Sequence, residues 1–255
     1  VTDSFSVAEG KEATMNDARS VIRDIRAVLE LDRRVDVHHN PVQFDYEDGR
    51  LILAGEVESV ATRKLVLEYA AALAGEIVID DRLLVRPGEV IEDEELCGLV
   101  FEALEGESAF NDTALQARVG RVEKAGRKTP RGSVDHIELE VDEGVVTLDG
   151  QVESYAHKAL AGVLAWWRRG TRNVVNKLAV DHPMEDPDGE MTDALRMVLE
   201  KDRLVQVAQI RVACHDFTAT LDGVVKNETE KRLAEADAWY LFGVNDVDNR
   251  LAVLG

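Results

Sequence analysis

A chain of 255 residues with 50 acidic and 30 basic side chains has a formal net charge of −20, which repels phosphate backbones and sets nucleic acid aside as a partner. Its 45% hydrophobic and 31% charged residues are a folding composition, not a disordered one. No apolar run reaches the roughly 18 to 20 residues of a membrane span.

The first 16 residues have neither the positive start nor the apolar centre of a secretory leader. Segment 1–16 is therefore expected to be a flexible N-terminus. The expected location is cytoplasmic for the sequence as it stands, or periplasmic if a leader has been removed.

From residue 17 onward the chain repeats itself. The first unit, 17–85, opens with an amphipathic helix over Asp17 to Glu30, with Val21, Ile25, Val28 and Leu29 in one stripe. A period-2 run (Val42, Phe44, Tyr46), the acid-then-glycine turn "EDG" and the run "LILAG" predict a hairpin ending at Gly55. Ser59 then caps a second helix that runs to Gly75, and a last strand ends at Val85.

The second unit, 93–180, repeats this order with Gly150, Gly170 and Val180, and the third, 190–253, repeats it with Gly223, Gly243 and Val253. Each first glycine precedes the second by 20 residues, and the valine follows 10 later. The second glycine is expected at the helix C-cap. The third unit departs at one turn, where "HDF" puts Phe217 in the place of Gly49 and Gly144. Either that turn differs or the phenylalanine has a role.

A strand, helix, strand passage of this length makes a right-handed crossover between parallel strands. The expected fold class is α+β: three tandem α-β-β-α-β modules, each a three-stranded mixed sheet with two helices on one face.

The second unit also carries an insertion, about 118–133, with six basic residues and one acidic: Arg118, Arg121, Lys124, Arg127, Lys128 and Arg131 against Glu123. It is expected to be a loop. Its alternatives are a solvated segment, pairing with the acidic runs "EVIEDEE" and "HPMEDPDGE", or phosphate binding.

Overlaying the second helices by the shared intervals turns Val66, Ala70 and Leu73 to the sheet, with Ala161, Ala165 and Arg168, and Ala234, Ala238 and Leu241, in the same places. Trp166 and Trp239 then project outward, while Trp167 and Tyr240 sit at the core edge. Two outward tryptophans at equivalent positions call for a covering surface. Another module, a second chain, or a lipid headgroup region that takes Trp166 with Arg168 and Arg169 would each serve.

No chemistry is spelled out. Cys214 shares a strand face with Ile210 and Val212, and with Cys97 it reads as a buried small hydrophobe. The six histidines form no metal-ligand spacing, phosphate-cradling loops are missing, and the carboxylates select no acid and base pair. The chain is read as a non-enzyme, with no cofactor and no metal.

The units resemble the BON domain family, found in tandem in osmotically inducible periplasmic proteins. The likeness lies in the order of elements, in "GEVES" and "GQVES", and in the closing "NVVNKLAV" and "DVDNRLAV". It implies a non-enzymatic binding or scaffold role in bacteria, linked to stress response, with protein partners or self-association first and phospholipid at a membrane surface as the alternative. It also implies structural roles for Gly55, Gly75, Gly150, Gly170, Gly223 and Gly243.

Overall fold

The computed structural model describes residues 18–35, 41–120, 122–127, 135–181 and 186–254. The expected flexible segment 1–16 lies outside them. The chain divides into two compact units, Val1–Arg86 and Pro87–Gly255.

The first unit contains a helix over 18–31 (α1), strands β1 (Gln43–Glu47) and β2 (Arg50–Val57), helix α2 (Val60–Ala74) and strand β3 (Val78–Val85). β1 and β2 pair antiparallel and β2 and β3 parallel, as the crossover requires. Ile25 and Leu29 of α1, Leu51 and Leu53 of β2, and Leu65 and Val66 of α2 are buried. The Tyr69 hydroxyl donates to Asp32 Oδ2 at 2.6 Å, fastening α2 to the end of α1. Leu73, expected to face the sheet, is exposed.

The second unit begins with α3 (Asp93–Glu105), a 3-10 turn (Ser108–Phe110) and strands β4 (Ala114–Val119) and β5 (Val122–Arg127). Strands β6 (His136–Asp142) and β7 (Val145–Val152), helix α4 (Tyr155–Trp166) and short strands β8 (Asn173–Asn176) and β9 (Ala179–Val180) follow. Next come α5 (Pro187–Lys201), a 3-10 turn (Val207–Gln209), β10 (Ile210–His215), β11 (Thr218–Val225), α6 (Glu228–Tyr240) and β12 (Asp246–Val253).

The β10-β11-β12 sheet has the expected three strands. The other sheet does not: its order is β5-β4-β6-β7-β8, with β9 also paired to β7. The expected loop at 118–133 is, over its described residues, part of the β4–β5 hairpin, which joins the sheet through a parallel β4–β6 ladder. The apolar residues Leu115, Ala117 and Val119 alternate with the exposed polar residues Gln116 and Arg118, so one face of β4 enters the core. A charge count over the segment hides that alternation.

The last strand of this sheet is broken between β8 and β9. Of Gly75, Gly170 and Gly243, expected at helix C-caps, only Gly75 is one. Helices α4 and α6 stop earlier, with Trp167 and Leu241 as C-caps and the glycines beyond them.

One hydrophobic core runs through the second unit, from Leu96 of α3 and Leu148 of β7 to Leu199 of α5 and Leu251 of β12. Helix α4 packs on α5, α3 and α6 as well as on its own sheet. Its sequence, YAHKALAGVLAW, is apolar nearly all round, and eight of its residues are buried. The helical faces of the two sheets thus meet at a seam.

Two repeated devices fix each fold. The first glycines sit at φ 123°, 123° and 134°, and a Cβ at Gly150 or Gly223 would lie 2.2 Å from the His136 carbonyl oxygen or 2.1 Å from that of Gln209. No other residue fits there. The motif asparagines clamp strand to helix: Asn176 Nδ2 donates to the Lys158 carbonyl at 2.7 Å and Asn249 Nδ2 to the Lys231 carbonyl at 3.3 Å.

Candidate functional site

The seam is assembled by the ends of three helices. α4 delivers Trp166, Trp167, Arg168 and Arg169; α6 delivers Asp237, Trp239 and Tyr240; α5 ends at Lys201 and is capped by Asp202. Trp166 stacks on Tyr240 with ring centroids 5.7 Å apart and planes 12° from parallel. Trp167 Nε1 donates to Asp237 Oδ1 at 2.8 Å. These contacts join residues 70 or more positions apart, across the two domains.

The outward expectation for Trp239 is corrected, because it is only 5% exposed. The overlay assumed one buried face per helix, whereas α6 packs on its own sheet and also on α4 and α5. Trp166 is half-buried, and its covering surface is the neighbouring domain.

Asp237 is 2% exposed, and its Oδ2 has no hydrogen-bond partner. Burial pushes its carboxyl up to about 8; the Trp167 indole N–H works against this rise, and the neighbouring Asp202 carboxyl adds to it both by its charge and by a side-chain hydrogen bond that needs a proton on the pair. At neutral pH the group is therefore largely a neutral acid. Arg168 has its Nε buried without a partner, and burial lowers its pKa.

Further ties cross the seam. The Tyr155 hydroxyl donates to the Phe242 carbonyl, Lys158 Nζ lies 4.3 Å above the centre of the Phe242 ring, and Lys201 pairs with Glu107 at 2.6 Å. An open cleft of about 660 Å³ lies at the Trp166–Tyr240 stack, lined by Trp166, Trp167, Arg168, Asp202, Asp237 and Tyr240 among others.

Four of the candidate basic residues, Arg118, Lys124, Arg127 and Arg169, meet this chain's own acceptors. Arg118 pairs with Glu140 at 3.1 Å and Lys124 with Glu94 at 3.2 Å. Arg127 donates to the Glu105 and Thr113 carbonyls at 3.1 and 3.2 Å and also to that of Phe110. Arg169 meets Glu89 at 2.9 Å and also Glu95. Arg121, Lys128 and Arg131 lie outside the described residues.

Burial pushes the Cys214 thiol up to about 11 and the Cys97 thiol in the same direction, so both are poor nucleophiles. Among the described residues no group of three or more His, Cys, Asp or Glu is placed to hold a metal, and no helix is long and apolar enough to cross a membrane.

The sequence reading passed over Asp237, Asp202 and Tyr155. Asp237 had a signal: it follows Ala234 by three residues on the apolar stripe of α6, where a carboxylate has no business unless it meets a partner.

The geometry describes tandem α/β binding domains sharing one core, and the BON domain model matches residues 111–182 and 187–255, more than half of the chain. The chain belongs to the BON domain family. It is similar to Osmotically-inducible protein Y of Escherichia coli strain K12, at 30% identity over 137 residues, covering 49% of this chain and 68% of that protein. Two structures of CdsD, a structural protein of the type III secretion system of Chlamydia trachomatis, align over 92% of this chain at 19% identity. They are covered to 97% and 92%, with TM-scores of 0.25 and 0.24, too low to carry an argument.

Proposed function

We propose that the chain is a non-enzymatic binding and scaffold protein that engages protein partners through tandem BON domains, with a third such module at 17–85. For that module the support is a repeated detail. Asp81 stands where Asn176 and Asn249 stand, and Arg63 stands where Lys158 and Lys231 stand. There Arg63 pairs with Asp81, while the Leu83 N–H donates to Asp81 Oδ1 at 3.0 Å as the Leu178 and Leu251 N–H groups do to their asparagines. An acid replaces an amide, and the cation that all three units carry on the helix pairs with it.

The observation that favours protein over phospholipid is the engagement of Arg118, Lys124, Arg127 and Arg169 by this chain's own carboxylates and carbonyls. The excess of acidic side chains, a net charge of −20, adds repulsion from an anionic bilayer. The likeness to an osmotically inducible protein supports a role in stress response.

Co-sedimentation with anionic phospholipid vesicles over a salt series tests this. The chain is expected to stay in the supernatant at every salt concentration. Pelleting at low salt that reverses at high salt would overturn the protein-partner reading in favour of a membrane-surface module.

A further inference from the structure

The cleft beside the seam is lined by three basic groups, Arg168, Lys201 and Arg203, and by two carboxyls, Asp202 and Asp237, so its charge selects no ligand class. What the geometry does define is a polar contact between two domains, made by a carboxyl that is almost fully buried at the edge of this cleft.

We propose that the Trp167–Asp237 contact is a proton-operated latch, which holds the two BON domains together while Asp237 is protonated and loosens the seam when the proton is lost. A neutral carboxyl suits the site. Its Oδ1 accepts from the Trp167 indole at 2.8 Å, and burial of the neutral form costs far less than burial of an anion.

An ionised Asp237 has no compensating partner for Oδ2. The groups facing it are known from each element. From α4 and its end come Trp167 and Arg168, from α5 and its end Lys201, Asp202 and Arg203, and from α6 itself Tyr240; no histidine lines the cleft. Lys201 is already paired with Glu107, while Asp202 shares a hydrogen bond with the protonated form of Asp237 and repels the ionised one. Tyr240, whose pKa burial raises, stays neutral across the range concerned.

The direction follows from linkage. Opened to water, Asp237 returns to the ordinary carboxylate value of about 4. In the closed seam it sits at about 8, so closure takes up a proton between these values. The stabilisation is full below the ordinary carboxylate range and is lost as pH rises to about 8. The opening constant therefore climbs by up to about tenfold per pH unit over that window and levels off above it.

All three tryptophans lie near the ends of α4 and α6, so acrylamide quenching of the full chain's fluorescence reports on the seam. Quenching by acrylamide is expected to rise severalfold from pH 5 to 8 in the wild type and to stay flat in Asp237→Asn, which keeps an acceptor for Trp167 without a proton to lose. A flat wild-type profile, or the same rise in Asp237→Asn, overturns the latch.

If Asp237→Asn does not fold, the Trp167 indole N–H resonance of the 15N-labelled wild type decides instead. It is expected to move with pH over this range, and an unchanged resonance from pH 5 to 9 overturns the proposal. The latch deepens the reading of the tandem domains as one binding body, and the two fail separately. Salt-sensitive vesicle binding with a normal pH response sinks only the partner assignment.

Discussion

Phe217 holds a left-handed backbone, φ 61°, beside Asp216 at φ 46°. The equivalent turns use Asp48 with Gly49 at φ 82° and Glu143 with Gly144 at φ 76°, so the turn is the same and only the residue differs. A bulky side chain in this region costs about 1–2 kcal/mol. Phe217→Gly is expected to stabilise the chain by about 1 kcal/mol in urea denaturation. Gly223→Ala goes the other way. With a Cβ 2.1 Å from a carbonyl oxygen, it is expected to lose about 3 kcal/mol or more in the same assay. The need for glycine at these positions was legible from spacing alone, because a backbone constraint repeats wherever the unit repeats. The burial of Trp239 was not, because a helical wheel drawn against one sheet cannot see a second domain on the other side.

Helix α4 shows what an element carries beyond its period. The position of its stripe against the sheet was readable, but the more informative feature was that YAHKALAGVLAW leaves almost no polar face, which marks a helix covered on both sides. The β4–β5 hairpin is the opposite case. Six cations in 14 residues suggested a solvated loop, yet Ala117 on the alternate face is completely buried. Arg127 fastens this hairpin to the carbonyls that end α3 and the 3-10 turn. Arg127→Ala strips several carbonyls of a charged donor, and is expected to lower the stability of the second unit by about 1–3 kcal/mol in denaturant melts.

At the scale of the whole molecule, the sequence presents three similar units in a row, and nothing in a repeat says which copies fuse. The second compact unit holds both family-matched domains around one core, while Val1–Arg86 forms a unit of its own. Fusion spends the exposed aromatic surface that the sequence seemed to offer for self-association, and it makes the two domains one body to present to a partner. Proteins that share a core lose it together. Native-state hydrogen exchange on the full chain carrying Leu221→Ala tests this most directly. Leu221 is fully buried in the β10-β11-β12 sheet, far in sequence from the β6–β7 hairpin. The amides of β6 and β7 are expected to lose protection in step with those of β10 and β11. A loss confined to the β10-β11-β12 sheet, with β6 and β7 unchanged, would contradict a shared core and leave two independent domains.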